Sequence, residues 1–119
     1  VVETAEAGEQ LEAVDEPVAE LSMDVLMERG EQVYAQSCVS CHQANGQGMP
    51  PAFPAIAGGP ISTGDVAEHI DIVLHGRNAM PPWGHLSDED IAAVVTYERN
   101  AFGNDTGDLV QPADVAGAR

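Results

Sequence analysis

The sequence contains no lysine. Its only basic residues, apart from four histidines, are Arg29, Arg77, Arg99 and Arg119, set against 20 acidic residues for a formal net charge of −16. Phosphate neutralisation needs clustered Lys and Arg, so the composition argues against nucleic-acid binding. It argues equally against docking on an anionic membrane surface. A basic protein partner suits the charge, and so does general solubility or a saline habitat. Aromatic residues are also scarce, at 4%, although apolar residues make up 44% of the 119 positions. A single domain of this length buries a modest share of its surface, and an apolar group from outside the chain would supplement the core. No apolar run approaches the ~20 residues of a membrane span. The chain opens on Val, with no signal-peptide pattern, which is the expectation for a processed protein or an excised piece.

Charge and turn residues divide what is present. Residues 1–24 hold eight acidic and no basic residues, so residues 1–22 are expected to form an extended, self-repelling linker or tail. Ser22 is a plausible N-cap for a helix over residues 23–37, with Val25, Leu26, Val33 and Tyr34 on one face. Gly30 lies inside that helix, where it costs about 1 kcal/mol relative to Ala. Residues 43–61 collect four of the eight prolines and four of the 12 glycines, which predicts an irregular loop. Ser62 with Asp65 forms a capping-box-like start. Val66, Ile70, Val73 and Leu74 follow at helical spacing until Gly76. Ser87 with Asp90 opens a further helix carrying Ile91, Val94, Val95 and Tyr97, with Gly103 beyond it. Nothing reads convincingly as a strand. The expected domain covers 23–110, followed by a C-terminal tail over 111–119.

Cys38-Val39-Ser40-Cys41-His42 has the C-x-x-C-H spacing of covalent haem attachment. At the end of a helix, one turn of chain sets two thiols against the two porphyrin vinyl groups, and the adjoining His42 reaches the iron. A thioredoxin-like disulfide needs a βαβ context, which the pattern lacks. A zinc site needs four ligands, and only two cysteines are present. His69 and His75 read as surface or ordinary helix residues.

A second axial ligand is sought among four methionines. Met23 and Met27 lie on the first helix, where core packing is the usual fate of a methionine. Met49 follows His42 too closely to wrap around the haem edge. Met80 sits in the loop Gly76-Arg77-Asn78-Ala79-Met80-Pro81-Pro82-Trp83, restricted by two prolines, and is the preferred ligand. His85 is the alternative. A histidine and a thioether together raise the reduction potential and leave no open iron position, which implies electron transfer.

The order helix, C-x-x-C-H, loop, helix, methionine, helix resembles a class I cytochrome c over residues 23–103. The resemblance implies an all-α fold around one covalent haem c. It implies that Gly30 and Tyr34 pack against the last helix near Val94 and Tyr97. It also implies that Pro54 and Ile56 match a proline–x–leucine pair whose proline carbonyl accepts from His42 Nδ1–H. Pro50 or Pro51 remains an alternative acceptor. Arg77 either pairs with a haem propionate or is simply solvated, and Trp83 is grouped with the haem-binding residues.

Residues 86–100, Gly103-Asn104-Asp105-Thr106-Gly107-Asp108 and Val110-Gln111-Pro112 are similar to the cytochrome c domain fused to subunit II of caa3-type cytochrome c oxidases. That likeness implies a monomeric domain at the periplasmic or outer face of a bacterial membrane. It would take electrons from a basic cytochrome c or a bc1-type complex and pass them to a copper-A domain. A free periplasmic carrier is the alternative, and a haem-based ligand sensor is a further one.

Overall fold

A computed structural model describes residues 20–119 of the chain. Most of the acidic segment expected as a linker, residues 1–19, lies outside the described residues. Five helices follow in order: α1 Met23–Ser37, α2 Val39–His42, α3 Val66–His75, α4 Asp88–Asn100 and α5 Pro112–Ala118. Among the described residues there are no strands, only the isolated bridges Met49–Phe53 and Arg77–Met80.

Local chemistry sets the helix boundaries. Ser22 Oγ accepts from Val25 N–H at 3.2 Å and starts α1, as its sequence position predicts. Ser87 Oγ accepts from Asp90 N–H at 3.1 Å and starts α4. At α3 the cap is Asp65, whose Oδ1 accepts from Ala67 N–H at 3.1 Å. Ser62 does not cap the helix, because its hydroxyl is spent inside the preceding loop on the carbonyls of Ile56 and Gly59.

The core lies where α1 crosses α4. Leu26, Val33 and Tyr34 of α1 are buried there, whereas Val25 turns outward and is 48% exposed. α4 is more enclosed than a one-faced helix. Ile91, Ala92, Ala93, Val94, Val95 and Thr96 are all buried, because α1, α3 and α5 each pack on it. Gly30 marks the close approach. A Cβ placed on it would lie 2.5 Å from Tyr97 Cβ and nearer still to the Ala93 carbonyl. The partners are thus Ala93 and Tyr97, one residue off the expected Val94. Tyr34, Tyr97 and Phe102 cluster at one end of the crossing with ring centroids 5.1 to 5.7 Å apart.

The stretch expected as a C-terminal tail is instead mostly helix. α5 buries Pro112 and Val115 and contacts α4 and α3. Just before it, the Gln111 side chain brackets the Leu21 backbone, accepting from its N–H at 2.8 Å and donating to its carbonyl at 3.0 Å. Both edges of the domain are therefore tied to each other. No helix among the described residues is long and apolar enough to cross a membrane.

Candidate haem site

The end of α1, most of α2 and the loops before and after α3 enclose a cavity of about 630 Å3. This lies within the usual range for small-molecule and cofactor sites, ~300–1,000 Å3. Cys38 and Cys41 line it together with His42 and Met80. Phe53, Pro54, Ile61, Ile72 and Trp83 belong to its apolar wall. Met23, Met27, Met49 and His85 do not line it. Met49 is 54% exposed, and His85 instead packs its ring on Trp83 at 5.5 Å.

Backbone geometry aims the motif residues. α1 ends where Cys38 N–H donates to Tyr34 O at 2.9 Å. The short α2 then turns Cys41 and His42 back towards the same side. Gln43 at φ 70° stops it, and the Tyr34 hydroxyl fixes that turn by donating to Gln43 O at 2.6 Å. Burial, with Glu98 and Cys41 adding to it, pushes the Cys38 thiol up. The two cysteines are not bonded to each other.

His42 is buried, and its Nδ1 lies 2.8 Å from the Pro54 carbonyl. A carbonyl only accepts, so Nδ1 carries a proton, and the neutral ring then has its lone pair on Nε2. Of the three prolines considered for this role, Pro54 is the one so placed. Ile56 does not face the cavity. It packs against the core, and its backbone N–H donates to Gly46 O at 2.7 Å, fixing the loop that carries Pro54. Arg77 lines the cavity mouth and reaches Glu68 at 3.3 Å, with both side chains nearly half exposed. Met80 is held in a reciprocal pair with Arg77, N–H to carbonyl in each direction at 2.9 and 3.1 Å.

Sequence reasoning missed two groups. Phe53, Ile61 and Ile72 form cavity wall, and the position of Ile72 off the Val66–Ile70–Val73 stripe is a signal that could have revealed a second apolar face on α3. His69 is the other correction. It is 2% exposed, with Nε2 2.8 Å from Glu98 Oε1 and Nδ1 3.2 Å from Arg99 Nη1. Arg99 can only donate, so His69 Nδ1 accepts and its Nε2–H donates to Glu98. Arg99 also donates to the Ile61 carbonyl at 3.2 Å and to the Gly64 carbonyl. The buried charges thus pin the cavity loop to α4. Asn104 adds a second tie, donating to Ile56 O at 3.0 Å and accepting from Gly58 N–H at 2.8 Å.

The donor set fits a haem c. Two thiols, an imidazole with a free Nε2 lone pair and a thioether border one largely apolar cavity, and the imidazole is already oriented by a carbonyl. This fold and site define a class I cytochrome c domain, an electron carrier with covalent haem c as its cofactor. More narrowly, the chain belongs to the family described as cytochrome C oxidase, cbb3-type, subunit III, whose model matches residues 25–97. Cytochrome c-552 of Thermus thermophilus is 35% identical over 91 residues, covering 63% of this chain and 69% of that protein. The cytochrome c subunit of the quinone alcohol dehydrogenase of Gluconobacter oxydans (strain 621H) is 31% identical over 99 residues. Subunit CcoP of the cbb3-type cytochrome c oxidase of Azospirillum brasilense is 32% identical over 84 residues. The chain spans only 21% of the length of the dehydrogenase subunit and 28% of CcoP.

Proposed function

We propose that this domain relays single electrons through a haem c tethered by Cys38 and Cys41 and ligated by His42 and Met80. When bound, the haem supplies a one-electron iron couple. The chain's own residues do the rest. The Pro54 carbonyl holds the His42 ring in one tautomer and raises its basicity. Met80 offers a soft sulfur that favours the reduced metal. Phe53, Ile61, Ile72 and Trp83 exclude water from the cavity. Arg77, at the cavity mouth but shared with Glu68, is a candidate partner for a propionate. The observation that carries the proposal is that His42 and Met80, from different segments, border one cavity with both thiols. The ferric protein should show the weak near-infrared sulfur-to-iron charge-transfer band, and Met80→Ala should abolish it. A band that survives the substitution rules Met80 out.

The finer reading is that of the caa3-type subunit II domain, accepting electrons from a basic cytochrome c or a bc1-type complex and passing them to copper-A at the outer face of a bacterial membrane. It is supported by the sequence over residues 86–112, and by relatives in which a cytochrome c domain is a small part of a larger redox protein. The match to Thermus cytochrome c-552 favours a second reading, a free periplasmic carrier. Charge gives the first test. With −16 on the chain and screening over about 8 Å at physiological ionic strength, electron exchange with a basic cytochrome c should be fast at low salt and slow as salt rises. Stopped-flow rates that stay flat or increase would remove the docking role of the acidity. Direct reduction of a copper-A domain by the reduced protein, faster than by an unrelated cytochrome c, separates the oxidase reading from the free carrier.

A further inference from the structure

The loop between α3 and α4 carries Met80, and its backbone is fastened in three places. The Arg77–Met80 backbone pair closes the turn that carries the methionine. Trp83 N–H donates to Val73 O at 2.9 Å and ties the middle of the loop to α3. The third fastening comes from across the molecule. Arg119, which caps α5, donates from Nη1 to Gly84 O at 2.5 Å and from Nη2 to Leu86 O at 2.7 Å. Its Nε reaches Asp88 Oδ1 at 2.6 Å. No other side chain among the described residues donates to the Gly84 or Leu86 carbonyl. A guanidinium is a rigid planar fork, so three bonds from one group fix three acceptors relative to one another. The fork has a firm base, because Val115 of the same helix is fully buried and Gln111 is bonded to Leu21.

We propose that Arg119 is a positioning residue for the methionine loop, setting how readily Met80 leaves the iron to an incoming ligand. The inference rests on Met80 being the axial ligand. Its consequence is functional. A loop held shut keeps the domain an electron carrier, whereas a loose one makes it a ligand-binding haem protein. The effect is local, because segments of this kind open without global unfolding. Charged donors make the stronger hydrogen bonds, but the Arg119 side chain is 35% exposed, so water replaces part of what is lost.

The test uses the ferric holoprotein and imidazole, at a pH where imidazole is neutral, so that removing one charge does not alter encounter. The rate at which saturating imidazole erases the near-infrared band reads the opening of the loop. Arg119→Met keeps the aliphatic stem and removes every donor. It should open faster by about threefold to tenfold, the range expected for losing partly exposed charged hydrogen bonds. Asp88→Asn leaves both carbonyl bonds in place and should change the rate by about twofold or less. An Arg119→Met protein that melts lower but opens at the unaltered rate shows a structural role only and overturns the inference. So does an Asp88→Asn effect as large as that of Arg119→Met, because the ion pair would then be the fastening. Survival of the band in Met80→Ala overturns the ligand reading itself. A band abolished there, together with an unchanged rate in Arg119→Met, overturns this inference alone.

Discussion

On one side of Cys38–His42, α1 and α4 meet along buried aliphatic side chains and a glycine notch. On the other, the cavity is walled largely by two irregular loops. The rings are shared between the two sides. Tyr34, Tyr97 and Phe102 pack together at the helix crossing, while Phe53 and Trp83 line the cavity. The crossing closes on itself by side-chain packing. The cavity side is held by hydrogen bonds to backbone carbonyls from Arg99, Asn104, Ser62 and Arg119, around a space of about 630 Å3. The difference teaches where the cofactor enters the folding energetics. It completes the half that the chain does not fill.

The largest expected effect breaks the comparison outright. Cys38→Ala combined with Cys41→Ala removes both proposed tethers, and the haem-free chain should be largely unfolded in buffer, because a domain this small with so few rings lacks the apolar burial to compensate. A native-like circular dichroism spectrum would mean that the crossing half is self-sufficient. Next comes the crossing itself. Gly30→Val drives a branched side chain into the Ala93 carbonyl and Tyr97 Cβ and should cost on the order of 1–3 kcal/mol or more in denaturant titrations of the holoprotein. A loss of only a few tenths would show that the helices have room to part.

The smallest effect sharpens the contrast on the loop side. Asn104→Ala leaves the Gly58 N–H without its side-chain partner, while the Ile56 carbonyl keeps the Ser62 hydroxyl, so the cost should be about 0.5–1.5 kcal/mol. The loss should appear first as faster hydrogen exchange at Gly58, with amides of α1 and α4 protected as before. Equal acceleration in the helices would mean that the two halves open as one unit.

Much of the candidate site was legible from local signals. The C-x-x-C-H spacing is a property of one helical turn, and the prolines after Met80 restrict a loop before any packing occurs. The capping serines at α1 and α4 worked because a hydroxyl and its N–H partner lie within one turn. The same signal failed at Ser62, where a closer loop carbonyl outcompeted the helix. His69 reads in the sequence as a surface or ordinary helix residue, and nothing in its spacing announces that α3, α4 and the cavity loop enclose it together with Arg99.

The sequence by itself determined the haem-attachment motif, the methionine that follows it between two helices, the all-α class and the acidic charge, because each is set by residue chemistry over a few neighbouring positions. Tertiary structure alone decided which proline orients His42, that α4 is buried along Ile91–Thr96, that residues 112–118 form a helix and that Arg119 grips the methionine loop. Each of those depends on partners far apart in the chain, and only the packing of α4 against α1, α3 and α5 brings them together.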